Sequence, residues 1–547
     1  MWAGCGPPAG EIIETAGLVL RNARIYTANP SRPWADALAC VGERIARVGT
    51  ESEMDRLVGR ETEILDAGGR LVLPGFIDAH VHLVWGYELG RWIDLTGRPS
   101  LEEALRRVDA YARSHPEESI LLGHGFDYAA LVPGGLPTKE DLDAVVADRP
   151  VLLSAWDGHT GWGNTKFVER ALEAMEALGV EAGEMERAPR TGAPTGIFRR
   201  AFDITPLLPE VRARRSLDGL RQTVAMASRV GITTAFDVQV NLEDLHAYDD
   251  LRRQGGLTVR IRAAIYHPSD TPEARYHEFR AAASRYQDDW FRVAAVKLYI
   301  DGVQETGTAA LLEPYANNLH STGETVYPEQ DYRRIVTVLD HLGFQVCTHA
   351  CGDRGVRIAL DAYENAARVN GTSGRHHRIE HCENLSPEDI PRFARSGVVP
   401  CMMPRHASPE LTARWREAVG PERTRIAFPW RELLDTGAAL AFASDWPVAD
   451  LDPLVGISEA TTRLTPDGGP SPHRLSVREA IDGYTRRAAF ACHAESSRGM
   501  LVEGHYADLL VLSDNLFEIP PEGIRKAHVV RTILGGKTVH PDGAVRG

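Results

Sequence analysis

Eight short apolar runs alternate with amphipathic helical stretches through the middle of the chain. They are Phe76–His82, Ile232–Asp237, Ile261–Tyr266, Val296–Asp301, Gln345–His349, Arg378–His381, Val398–Met403 and Ala439–Asp445. Strands separated by helices build a parallel sheet, because each helix must carry the chain back before the next strand starts. Eight such units predict an α/β fold, a closed (β/α)₈ TIM-like barrel. The gap after the first run is too long for one crossover. It reads as a helix over Ser100–His115, strands at Ile120–His124 and Val151–Ala155, and a helix near Asn164–Leu178. Residues 86–222 are therefore expected to be an insertion over the barrel mouth, with Glu184–Gly196 as a loop inside it.

The ends differ from the middle. Leu18–Tyr26, Arg44–Val48, Glu63–Asp66 and Arg70–Leu73 read as strands. So do Ala507–Leu512, His528–Leu534 and Lys537–His540, the last two joined at Gly535-Gly536. The expectation is a small β-sandwich built from both termini, residues 1–74 with 496–547, flanking a barrel over 75–495.

A net charge of −15 over 547 residues speaks against nucleic acid or an anionic membrane as partner. No run of ~18 apolar residues suggests a span, and Met1–Gly17 has no basic-then-apolar leader. Seven scattered cysteines without a C-x-x-C pair predict neither a disulfide framework nor a thiolate zinc site, and fit a reducing cytoplasm. Assembly as a homodimer stays open.

The chemistry sits at strand ends. In a strand, residues i and i+2 face the same side, so His80 and His82 point together into the barrel as a pair of zinc ligands. Later runs end in Cys347-Thr348-His349, Ile379-Glu380-His381 and Ser444-Asp445. Barrel enzymes draw catalytic groups from the C-terminal ends of several strands, and here those ends carry four histidines and an aspartate. Lys297 lies in an otherwise apolar strand, where lysine is rarely buried unpaired. It either pairs a carboxylate such as Asp301 or is carboxylated by CO₂, giving a carbamate that bridges two metals, since an ammonium has no lone pair to donate. Zinc lowers the pKa of bound water from ~15.7 towards ~7 and polarises a carbonyl. Asp445 could then take the water's proton and pass it to a leaving nitrogen. His159, in the insertion, is placed to donate to a developing oxyanion. Arg405, His406 and Trp156 are candidate substrate contacts, with Trp85, Tyr87, Phe126, Tyr128 and Trp162 as further aromatics for a pocket. Cys351 and Cys382 read as packing residues.

These residues resemble the amidohydrolase superfamily, and more narrowly its branch that includes N-substituted formamide deformylase. The resemblance rests on Pro74–His82, Asp157-Gly158-His159 with Asn164, Lys297 with Asp301-Gly302, His349-Ala350, Arg378–Glu383, Ser444–Pro447 and the tail Ala507-Asp508-Leu509. It implies that His80, His82, Lys297 and Asp445 hold a buried metal, that Lys297, His349 and His381 hold an outer one, and that Asp445 is the general base. The implied enzyme is zinc-dependent and cuts a non-peptide C–N bond in a small-molecule amide, an N-formyl or N-acyl amine or amino acid. A cyclic-amide hydrolase, a deaminase on the same fold and a non-catalytic metal-binding regulator are the competing readings. Deaminases of the superfamily usually lack the bridging lysine, so Lys297 weighs against them.

Overall fold

The computed structural model describes residues 15–89, 92–96, 99–127, 131–132, 136–155, 160–178, 185–199 and 217–541. Its centre is an eight-stranded sheet of β1 (Phe76–Val81), β2 (Ile232–Val240), β3 (Arg260–Tyr266), β4 (Phe291–Tyr299), β5 (Gln345–Ala350), β6 (Arg378–His381), β7 (Val399–Met402) and β8 (Ala441–Phe442), in that order. Every neighbouring pair is parallel. Strands covered by helices outside and side chains inside read as nearly continuous apolar runs, and every residue of β1, β2, β5, β6 and β7 is buried. The ring closes between β8 and β1 by different means. The Asp445 N–H donates to the His80 carbonyl at 2.9 Å, and the Asp78 carboxylate accepts from the Ser444 N–H (3.0 Å) and hydroxyl (2.5 Å).

The outer helices follow the apolar period. Asp353–Asn370 buries Val356, Ala359, Leu360, Tyr363 and Ala366 against the barrel and stops at Gly371, whose φ of 65° is open to glycine at low cost.

The stretch after β1 contains a separate six-stranded sheet, with Ile93–Asp94, Leu121–Phe126, Val151–Ala155, Thr160–Gly163, Pro194–Arg199 and Met185–Arg187 as neighbours in that order. Helices Leu101–Ser114 and Thr165–Leu178 lie alongside, and two buried clusters give this sheet a core on each face. One expectation is corrected. Within Glu184–Gly196, read as a loop, the described residues form an antiparallel hairpin, Met185–Arg187 against Pro194–Arg199. The Gly- and Pro-rich residues seen in the sequence make only its turn, where Gly192 has a φ of 68°. Met185–Arg187 spans three residues and Pro194–Arg199 opens on Pro, Thr and Gly, so neither shows an apolar run.

Strands from the two ends of the chain share a sheet. Leu509–Leu512 pairs antiparallel with Leu71–Pro74, which in turn pairs with Arg24–Tyr26. A second sheet orders Arg44–Gly49, Ala37–Val41, Leu18–Arg21 and Glu63–Asp66. Leu20, Leu38 and Ile45 of that sheet join Val72, Leu509 and Ile533 of the other in one buried cluster.

Arg260 on β3 ties this region to the barrel. It is fully buried, with Nε 2.8 Å from Asp508 and a terminal nitrogen 3.2 Å from Glu43. Its guanidinium lies 3.9 Å from the Tyr506 ring centroid and 4.6 Å from that of Trp290. Removing one partner of a buried pair strands the other's charge, at a cost of ~3–5 kcal/mol, whereas replacing both with apolar groups is far cheaper. Asp508→Ala is thus expected to lose about that much in denaturant unfolding, and the double variant Arg260→Met/Asp508→Leu markedly less.

Candidate metal centre

The polar residues of β1 are dictated by its two faces. His80 and His82, two apart, turn inward together, and both are buried. Across the seam the chain leaves β8 and places Asp445 at a φ of 59°. His381, at the end of β6, has a φ of 75°. Non-glycine residues held in this left-handed region cost on the order of 1–3 kcal/mol each and persist only where the surroundings fix them.

The result is a tight constellation. One Asp445 carboxylate oxygen, Oδ1, lies 3.2 Å from His80 Nε2 and 3.0 Å from His82 Nε2. The other, Oδ2, lies 3.6 Å from His406 Nε2 and 3.9 Å from His381 Nδ1. The His381 and His349 rings are 4.3 Å apart, and His349 Nε2 is 3.0 Å from the Gly302 carbonyl and 3.5 Å from Cys351 Sγ. Trp85 stacks on the outer face of His82 at 4.0 Å. Lys297, fully buried on β4, pairs in register with Cys347, and Tyr299 two residues on pairs with His349.

These atoms suit a divalent cation. Donor atoms of His80, His82 and Asp445 all lie within 4.8 Å of one another, as do those of His381, His406 and Asp445, and those of His349, Cys351 and His381. His80 Nε2, Asp445 Oδ1, His406 Nε2 and Lys297 Nζ are buried without a hydrogen bond, and buried polar atoms left this way are costly unless something binds them. Imidazole and carboxylate are zinc donors. Burial lowers the basicity of His82, to about 4, against the pull of Asp445. Burial, with His349 beside it, takes His381 well below its ordinary value, so both present lone pairs. Burial would raise Asp445, but His80, His82 and His381 hold it well below the usual carboxylate range. Burial also lowers Lys297, against the charges of Glu380 and Asp445.

Residues 63–540 match the model of the Amidohydrolase family Amidohydro_3. The chain belongs to the amidohydrolase family. It is 28% identical to Protein LONG AFTER FAR-RED 3 of Arabidopsis thaliana, over 98% of this chain and 93% of that one. It is 26% identical to N-substituted formamide deformylase of Arthrobacter pascens, over 95% and 97%. An uncharacterized metal-dependent hydrolase from Pyrococcus furiosus superposes with a TM-score of 0.70 at 27% identity, over 92% of this chain and all (100%) of that one.

Within this amidohydrolase the structure brings His80, His82, His349, His381, His406 and Asp445 around one centre, with Lys297 buried on the strand between. Arg405 turns elsewhere: its guanidinium is held 2.8 Å from Asp450 and 2.5 Å from Glu410. Trp156 and His159 lie outside the described residues. Phe126 and Trp162, expected near a pocket, instead pack edge to face at 5.9 Å within one of the two cores of the inserted sheet. Cys351, read as packing, lines the cavity beside the centre together with Val303, Glu305, Glu383, His406 and Leu411.

Three carboxylates were not singled out from the sequence. Glu380 accepts from His80 Nδ1 at 2.6 Å and is itself gripped by Arg378 through two bonds of 2.9 Å. Burial opposes its ionisation, yet Arg378 and His80 hold it far below the usual carboxylate range. Glu383 lies 3.3 Å from His406 Nδ1 and accepts from Trp415 Nε1 at 2.9 Å. Asp78 closes the seam. The available signal for Glu380 was its alternation with Arg378, which puts both on one strand face. A carboxylate behind a ligating histidine fixes its tautomer and angle, and its loss typically costs 10–100-fold in metal affinity. Glu380→Gln is therefore expected to weaken zinc binding by about that factor in a chelator competition. Glu364→Gln, on the solvent face of the helix Asp353–Asn370, should leave it unchanged.

Proposed function

We propose that this amidohydrolase is a zinc-dependent enzyme that hydrolyses the C–N bond of an N-formyl or N-acyl amine, with Asp445 as general base. The observation that carries this reading is the buried Asp445 carboxylate, within 3.2 Å of both His80 and His82 through one oxygen while the other faces His381 and His406. His80, His82, Lys297 and Asp445 would hold one cation, and Lys297, His349 and His381 a second. Bound there, divalent cations supply Lewis acidity toward a carbonyl oxygen and acidify water.

The chain's own residues do the rest. Lys297 joins the donor set as its carbamate: the neutral amine, favoured by burial, adds CO₂ and releases a proton, turning a cation without lone pairs into an anionic oxygen donor. Glu380 keeps His80 in the tautomer whose Nε2 faces Asp445. Asp445, ionised by its histidine neighbours, takes the proton of the attacking water and delivers it to the departing nitrogen as the C–N bond breaks. His159 is assigned the hydrogen bond to the carbonyl oxygen as it gains charge, and Trp156 an apolar contact to substrate.

The charge of the cavity supports one part of that substrate class. Its described lining carries Glu305 and Glu383 beside Asp445 and includes no lysine or arginine. Where the bound cations do not balance their charge, Glu305 and Glu383 repel a substrate carboxylate, which favours neutral or cationic N-acyl amines over N-acyl amino acids. The relative named N-substituted formamide deformylase supports the same class.

Asp445→Asn keeps the shape and removes the basicity. Turnover should fall by ~10²–10⁴-fold, with the fold and much of the metal retained. Near-normal turnover with metal bound would mean another group is the base. Across a panel read by mass spectrometry, N-formyl and N-acyl amines should exceed the matching N-acyl amino acids in kcat/KM by at least ~10-fold. The reverse order would overturn the substrate assignment.

A further inference from the structure

A second group of metal-ligating side chains lies at the opposite end of the barrel. His376 precedes the N-terminal end of β6, whose last residue is His381. The length of that strand alone separates them by on the order of 13 Å. His493 and Glu495 follow the helix Arg486–Ala491. Donor atoms of His376, His493 and Glu495 all fall within 4.8 Å of one another, at the surface rather than in the core.

Two features set this group apart from a chance meeting of surface residues. The first is the orientation of the rings. His376 Nδ1 is 2.9 Å from the Phe490 carbonyl, and His493 Nε2 is 2.8 Å from the Arg375 carbonyl. A carbonyl only accepts, so these nitrogens donate, and His376 Nε2 and His493 Nδ1 are the ring atoms left to face a cation. Fixing the tautomer through the remote nitrogen is how ligating histidines are usually held. The two rings lie parallel, 5° apart, with centroids at 4.3 Å, and both residues are held at left-handed φ, 47° and 50°. The second feature is Glu495, whose Oε2 is buried and makes no hydrogen bond.

We propose that His376, His493 and Glu495 form a second transition-metal site, for zinc or a similar borderline cation, independent of the strand-end centre. Two imidazoles and one carboxylate select such an ion over magnesium or calcium, which prefer all-oxygen sites. Tetrahedral bonds of ~2.1 Å bring donor atoms to about 3.4 Å. Occupancy therefore draws the group together, a movement the partly exposed side chains permit. The three protein donors leave a fourth position for water. A bound ion would cross-link the segment entering β6, which carries Glu380 and His381, to the segment leaving the last barrel helix. Its role is thus to brace the barrel floor beneath the strand that presents those residues.

The test is a Zn²⁺ titration of the full-length chain after removal of metal by chelator, counting equivalents by calorimetry. The unsubstituted chain should take up one equivalent more than His493→Ala. Glu495→Gln, which keeps both carbonyl contacts of the histidines, should bind that equivalent about tenfold more weakly or worse. The same one-equivalent difference should survive when His80→Ala and Asp445→Asn are present in both proteins, so loss of the strand-end centre does not obscure it. Basal turnover of His493→Ala at saturating zinc should be unchanged. Equal stoichiometry and affinity in the unsubstituted chain and Glu495→Gln would overturn the site, and the histidine pair would then be only a strap between two loops.

Discussion

The Asp78 carboxylate holds together the two barrel strands that no regular ladder joins. It accepts from the Ser444 N–H and hydroxyl across the seam and from the His80 N–H along its own strand at 3.2 Å. Burial pushes its pKa up to about 6, against these same donors. The seam continues through the Asp445 N–H to the His80 carbonyl at 2.9 Å, and through the His82 N–H to the Trp446 carbonyl at 2.8 Å. Closing the barrel and assembling the candidate centre are therefore one event. The bonds that bring β8 to β1 are those that set the Asp445 side chain against His80 and His82.

A second layer makes that arrangement rigid. Arg378 and Glu380 face inward from β6, and Arg378 also donates to the Ala79 carbonyl of β1 at 2.6 Å. The pair spans the barrel interior and ends on His80. Burying such a pair is expensive unless the charges are met, and here the Glu380 carboxylate is met by Arg378 and His80. Opposite it, Glu383 and Trp415 do the same for His406. The centre is thus a set of groups already aimed by carboxylates and backbone, which limits the reorganisation left to the reaction.

Much of this was legible in the sequence. The eight strands appear as apolar runs because both faces are covered, and the inward pair His80 and His82 appears because a strand has a period of two. Asp445, His349 and His381 were read as candidates because barrels gather chemistry at strand ends, and the structure places their donor atoms in neighbouring clusters. Glu380, Glu383 and Asp78 were not, because a carboxylate that acts on another side chain leaves no spacing of its own. Their partners are 300, 23 and 366 residues away in sequence. Arg405 and His406 are adjacent, yet one joins the centre and the other is engaged by Asp450 and Glu410. Only the short helical turn over Pro404–Ala407, which the sequence pattern did not reveal, decides between them. The hairpin within 185–199 was hidden for the opposite reason, since its turn residues were conspicuous and its strands were not.

The central claim is that His80, His82, His349, His381, Lys297 and Asp445 together hold divalent metal. Anomalous X-ray diffraction at the zinc absorption edge, on crystals grown with zinc, addresses it directly. The account predicts two anomalous peaks at the strand ends, one contacted by His80, His82 and Asp445 and the other by His349 and His381, with continuous density beyond Lys297 Nζ reaching both. Zinc peaks elsewhere in the molecule with none among these residues, or a bare Lys297 ammonium beside bound metal, would contradict it.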